Sequence, residues 1–119
     1  MVVEDEFFVR VMIADELRAA GFLVVECRDA DEALEVLHSG MTVSLMFTDI
    51  RMPGSMDGVR LAQTVRNQFP ALKVVFTSSE LPPATVSSAE QFVPKPYDPK
   101  SVIRRIDGLL KGTSSGPRG

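Results

Sequence analysis

The feature that most narrows what this chain can fold into is a regular alternation of short β-branched or apolar runs with segments of helical period. Met1 to Val3 is a stub of strand. Glu6 to Ala20 follows with Val9, Met12, Ile13, Leu17 and Ala20 at helical spacing, and Gly21 stands where a residue closing a helix belongs. Phe22 to Glu26 is a second strand, and Asp29-Ala30-Asp31-Glu32 is a capping-box pattern. It opens a helix with Ala30, Ala33, Leu34 and Leu37 on one face, ending near Gly40. Ser44 to Asp49 is nearly continuously apolar, as a strand covered on both faces should be. Beyond the turn Met52 to Met56, Asp57 caps a helix to about Phe69, with Val59, Ala62, Val65 and Phe69 on one stripe and Pro70 as terminator. Leu72 to Thr77 and Phe92-Val93 are the fourth and fifth strands. Asp98-Pro99 opens a last helix carrying Val102, Ile103, Ile106, Leu109 and Leu110. Strands alternating with helices predict a parallel sheet with helices on both faces.

Composition sets the outer limits. With 119 residues, 45% hydrophobic and 24% charged, the chain can build one core, and it needs no metal or disulfide staple to fold. The single Cys27 excludes an internal disulfide, a zinc ribbon and a Cys-x-x-Cys redox centre. Sixteen acidic against thirteen basic residues, with no Lys/Arg cluster, disfavour direct binding to nucleic acid. Apolar runs are only a few residues long, and Glu4-Asp5-Glu6 lies where a signal peptide would be basic and then apolar, so a cytoplasmic location without membrane contact is expected. Gly112 to Gly119 has no apolar face. The expected division is one domain over 1–111 and a flexible tail over 112–119.

Right-handed crossovers put the C-terminal end of every parallel strand on one rim of the sheet, where ligands bind at the switch in strand order. The side chains arriving there are Glu4 and Asp5, Asp49, Thr77 and Lys95. Each has a plain alternative: Glu4-Asp5-Glu6 as a complement to a helix dipole, Asp49 as a turn cap, Thr77 as a strand residue, Lys95 as surface. Those alternatives weaken only in combination. Cys27 is expected to be apolar filler, and His38, near the far end of its helix, to be structural.

Two carboxylates about 4 Å apart repel by about 4 kcal/mol at an effective dielectric near 20. Three need cations, and one lysine plus one divalent oxygen-seeking ion balance them. Mg²⁺ suits such an open, partly hydrated site. An ion held against one carboxylate can also orient an incoming phosphoryl group for in-line attack, making Asp49 an aspartyl phosphate.

At this point the residues carry a resemblance covering nearly the whole chain. Val2-Val3-Glu4-Asp5-Glu6, Phe47-Thr48-Asp49-Ile50-Arg51-Met52-Pro53-Gly54, Met56-Asp57-Gly58, Val75-Phe76-Thr77-Ser78 and Val93-Pro94-Lys95-Pro96-Tyr97 together resemble the receiver (REC) domain of two-component response regulators. The resemblance implies a flavodoxin-like (βα)5 fold, a doubly wound five-stranded parallel sheet of order 2-1-3-4-5. It implies Asp49 as phosphoacceptor, with Mg²⁺ held by Asp5, Asp49 and the backbone carbonyl of Arg51, and by Glu4 through water. Lys95 would pair with Asp49 and then with the phosphoryl group, its bond to Pro96 would be cis, Thr77 would be the switch hydroxyl and Phe92 the rotating aromatic. Arg51 and Ser78-Ser79 would flank the path of attacking water.

The sequence departs from the family pattern in three places. The first strand is short, Ser55 looks like an insertion between Met-Pro-Gly and Met-Asp-Gly, and Ser78 to Gln91 is too short for a full fourth helix. One or two helical turns fit there, over Ala84 to Glu90. The function implied is transfer of a phosphoryl group from a phosphohistidine, on a sensor histidine kinase or histidine phosphotransfer protein, to Asp49. The output passes through protein contacts, without turnover of a substrate. The alternative is a phosphorylation-independent pseudo-receiver that only docks partners. A hydrolase of the haloacid dehalogenase type would need a second Asp where Arg51 stands.

Overall fold

The computed structural model describes residues 1–84, 86 and 91–111. Within them the chain runs β1 (Val2–Val3), α1 (Phe7–Ala19), β2 (Glu26–Cys27), α2 (Ala30–His38), β3 (Leu45–Asp49), α3 (Gly58–Gln68), β4 (Lys73–Ser78), β5 (Phe92–Pro94) and α4 (Pro99–Lys111). The five strands form one sheet of order β2-β1-β3-β4-β5, every pairing parallel. The expected flavodoxin-like winding is therefore present, with four helices among the described residues. The helical turns expected over Ala84 to Glu90 fall mostly outside those residues, as does the tail 112–119.

Alternation along the strands explains why β3 is buried at every position. Leu45 and Phe47 point to one face of the sheet, where they pack with Ile13 and Leu17 of α1 and Val102 and Ile106 of α4. Met46 points to the other, with Leu37 of α2 and Leu61 and Val65 of α3. Cys27 lies in this second core, as expected of filler, and burial pushes its thiol up to about 11, which keeps it an inert thiol.

Local signals set the helix ends. The amide of Glu32 donates to Asp29 Oδ1 at 2.9 Å, and Glu32 Oε1 reaches back to the amide of Arg28 at 2.7 Å. This is a capping box shifted by one residue. Asp57 Oδ1 accepts from the amide of Arg60 at 2.9 Å, starting α3 at the position its sequence predicts. Gly21, at φ 101°, takes the left-handed turn that ends α1.

The second strand differs from expectation. Phe22 to Glu26 reads as strand, yet only Glu26 and Cys27 are paired. The cause lies in the neighbour: β1 has just two paired residues, so Phe22 to Val24 have no strand beside them. They line a cleft of about 570 Å³ instead, together with Leu17, Val43, Ile106 and Leu110. Leu23 is fully exposed. At the edge of this cleft the Met1 ammonium donates to the Leu45 carbonyl at 2.9 Å.

Burial there lowers the Met1 amine from 8.0 to about 6. Between those values the unfolded chain holds a proton that the folded chain does not, so stability falls as pH drops through that window. The full loss is about 2–3 kcal/mol. Urea midpoints at pH 8.5 and 5.5 should differ by more for the free amine than for an Nα-acetylated chain, and equal differences would refute the assignment.

Candidate functional site

The register of the sheet sets the site. Val3 pairs with Thr48, Asp49 with Thr77 and Ser78 with Pro94, so the residues leaving β1, β3, β4 and β5 emerge side by side. Lys95, one residue beyond β5, reaches back across the rim. Its Nζ donates to Glu4 Oε1 at 2.9 Å and to Asp49 Oδ2 at 3.0 Å. The other oxygen of Asp49 accepts from the amide of Arg51 at 3.2 Å, and Glu4 Oε2 accepts from the amide of Glu6 at 3.1 Å. Glu4 and Asp49 are buried, whereas Asp5 is exposed. Carboxylate oxygens of Glu4, Asp5 and Asp49 all lie within 4.8 Å of one another.

The expected convergence of Glu4, Asp5, Asp49, Thr77 and Lys95 is thus present, and the Lys95-Pro96 peptide is cis. The pairing of Lys95 with Glu4 goes beyond expectation, which gave it only Asp49. Burial pulls the Lys95 ammonium down, but the hydrogen bonds and charges of Glu4 and Asp49 outweigh it and hold the lysine above its ordinary range. Burial pushes the Glu4 carboxyl up, and the bonds from Lys95 and Glu6 only partly offset that. The lysine is raised by its two carboxylate partners, whereas Glu4 is raised by burial that its share of the one ammonium does not offset. The ammonium is itself well satisfied, and the acids remain short of positive charge. An all-oxygen donor set with a charge deficit is what a hard divalent cation binds.

Thr77 is buried and its Oγ1 has no hydrogen-bond partner among the described residues, an uncommon state for a buried hydroxyl. Phe92 is half-buried against the core beneath α2 and α3. His38 lies at the end of α2 remote from the rim, where its Nε2 meets Gln68 Oε1 at 2.7 Å. The extra residue Ser55 donates through Oγ to Asp31 Oδ1 at 2.7 Å, tying the loop after Asp49 to the start of α2. The Arg51 guanidinium lies 2.8 Å from Glu80.

Three contributors were not anticipated. Arg10 donates to the Glu4 carbonyl at 3.0 Å and to Glu26 Oε1 at 3.3 Å, fastening the end of β1 to β2. Its place one helical turn after Glu6 was the only signal. Tyr97 packs edge-on to Phe47, and burial, followed by the charge of Glu4, pushes its phenol up to about 12. Gly58 sits against the backbone of Asp49, and a Cβ there would collide with the Asp49 carbonyl. That approach is invisible until α3 is packed.

The chain matches the family model described as the response regulator receiver domain over residues 1–107. It is 34% identical over 117 residues to the two-component response regulator ORR11 of Oryza sativa subsp. indica, covering 92% of this chain and 79% of that protein. It is 29% identical to Protein PetR of Rhodobacter capsulatus over an alignment of 126 positions, gaps included, that covers 99% of this chain, and it spans about half the length of that protein, 52%. Among solved structures, the receiver domain of the hybrid histidine kinase CckA superposes with a TM-score of 0.78 at 34% identity, covering 92% of this chain and 95% of that one. A family match that runs from β1 into α4, over a parallel sheet wound in the order β2-β1-β3-β4-β5, has one conclusion: this chain belongs to the receiver domains of response regulators.

Proposed function

We propose that this receiver takes a phosphoryl group onto Asp49 from a phosphohistidine, in a Mg²⁺-dependent reaction, and signals by changing what its surface binds. The observation that carries this is the Asp49 carboxylate itself. It is buried beside the Thr77 hydroxyl, which has no hydrogen-bond partner among the described residues, 3.0 Å from the Lys95 ammonium and within 4.8 Å of two further carboxylates. Such a group is held and oriented, with its charge left incompletely balanced.

Glu4, Asp5, Asp49 and the Arg51 carbonyl would hold the Mg²⁺, Glu4 through water, and the bound ion supplies charge compensation for a phosphoryl transfer. The rest falls to the chain. An Asp49 oxygen forms the new bond to phosphorus while the phosphorus–nitrogen bond to the donor imidazole breaks, its electron pair leaving with the ring. Lys95 exchanges its contact with Asp49 for a phosphoryl oxygen, and Thr77 donates its hydroxyl to another. Phe92, on the neighbouring strand, turns toward the space that Thr77 leaves. The chain then catalyses only its own phosphorylation and hydrolysis.

A protein donor is supported by what borders the site. Phe7, Phe8 and Met12 on α1 are exposed, directly after Glu4 and Asp5. We assign this apolar patch to the surface of a histidine kinase or histidine phosphotransfer protein carrying the donor. No helix among the described residues is long and apolar enough to cross a membrane. We place the domain at 1–111, with 112–119 as a tail, in the cytoplasm, and with a protein rather than a nucleic acid as its direct target.

The test is incubation with Mg²⁺ and acetyl phosphate, followed by intact mass. A single phosphoryl adduct is expected on the wild-type chain and none on Asp49→Asn or with Mg²⁺ chelated. An adduct that survives Asp49→Asn rules the assignment out.

A further inference from the structure

We propose that Glu80 is a positioning residue for the Arg51 side chain, holding the guanidinium away from Asp49 until a phosphoryl group draws it in. This rests on Asp49 being the phosphoacceptor, as argued above. Both ends of the Arg51–Glu80 pair are rooted in the site. The Arg51 amide donates to Asp49 Oδ1 at 3.2 Å, so its backbone is tied to the acceptor, yet Arg51 Nη2 points across the rim to Glu80 Oε1 at 2.8 Å. The Glu80 amide donates to Ser78 Oγ at 3.1 Å, and the Ser78 carbonyl accepts from the Lys95 amide at 2.9 Å. The pair therefore bridges the exits of β3 and β4, just outside the neighbours Asp49 and Thr77.

The energetics favour a swap. The two side chains are 72% and 57% exposed, and a pair so open to water is held weakly. A phosphoryl group on Asp49 carries a charge of about −1.5 to −2 and three acceptor oxygens, and a guanidinium meets it through paired, charge-assisted bonds roughly twice as strong as neutral ones. Arg51 is one swing of its side chain away. Once over the phosphoryl group it stands in the path of the water that ends the signal. In that hydrolysis a water oxygen bonds to phosphorus, the Asp49 oxygen leaves as carboxylate, and the water protons pass to the departing phosphate and to solvent. Glu80 competes for the same guanidinium, so it shortens the phosphorylated state.

The experiment follows decay of the adduct on the full chain after rapid removal of acetyl phosphate, by intact mass, at low and high salt. Glu80→Gln is expected to lengthen the half-life by roughly threefold to fivefold at low salt and by less at high salt. Glu80→Asp, which keeps the tether, stays near wild type. Arg51→Ala shortens the half-life, and adding Glu80→Gln to it changes nothing further. An equal lengthening by Glu80→Gln with and without Arg51 would mean that Glu80 acts through its charge alone and would overturn the proposal, as would a Glu80→Gln half-life equal to wild type. Absence of any adduct on the wild-type chain removes the phosphoacceptor assignment and this proposal with it, whereas an adduct with unchanged decay defeats this proposal alone. Both side chains substituted in the cycle are exposed, and matching melting temperatures exclude loss of fold as the cause.

Discussion

Alanine at Gly58 is expected to cost about 3 kcal/mol or more of stability and to weaken ion binding at the acidic cluster. Helix propensity alone argues the reverse, since alanine is better than glycine in a helix by about 1 kcal/mol. The close approach decides the sign. The added methyl would meet the carbonyl of Asp49, with the Cα of Ile50 just behind it, and backbone cannot rotate away as a side chain can. The Gly58 amide also donates to the Ile50 carbonyl at 2.8 Å, so the helix cannot back off without losing that bond. Relief therefore has to come from separating the start of α3 from the end of β3, which moves Asp49. Gly108, inside α4, is the control, because a methyl added there would have nothing within 4 Å of it. Alanine at that position should stabilise by about 0.5–1 kcal/mol. Urea unfolding of the two variants should give changes of opposite sign. Two small changes of the same sign would show that α3 does not bear on Asp49.

That contrast also marks what could be seen in the sequence. Features written in neighbouring residues were legible: the Asp29 and Asp57 caps, the apolar run of β3 and the Gly21 turn. The fixed hand of parallel crossovers made the delivery of Glu4, Asp5, Asp49, Thr77 and Lys95 to one rim legible as well. Features set by the distance between elements were not. Phe22 to Val24 have strand composition and no partner, because pairing depends on the length of β1 rather than on their own side chains. Glu4 and Asp5 are adjacent acids that a sequence treats alike, yet one is buried on Lys95 and the other faces solvent. Gly58 looks like an ordinary turn glycine, and nothing local links Arg51 to Glu80. The family pattern located the chemistry. Packing decided which acid is neutralised by the lysine and which side chains surround it.

Lys95→Ala is expected to lower the stability of the metal-free chain by about 3 kcal/mol at neutral pH, because it leaves two buried carboxylates facing each other without their shared cation. The pH dependence follows from Glu4. Its carboxyl already lies above the ordinary value of 4.5, burial being the main cause, and the bond from Lys95 acts to lower it. Removing the lysine raises it further. A carboxyl raised in the folded state contributes stability below its unfolded value and loses it as pH rises through the folded one. The deficit of the variant should therefore be small at pH 4 and large at pH 7. Mg²⁺ acts on the same charge, so millimolar Mg²⁺ should recover much of the deficit and raise the melting temperature of the variant by more than that of the wild type. Phosphorylation is a separate matter, since no ion replaces an ammonium placed to follow the phosphoryl group. The variant should bind Mg²⁺ at least as well as the wild type and still respond less to acetyl phosphate in the surface it presents. A deficit independent of pH, or equal stabilisation of both chains by Mg²⁺, would mean that Lys95 is not the counter-charge of this cluster, and the division of labour between lysine and ion would have to be abandoned.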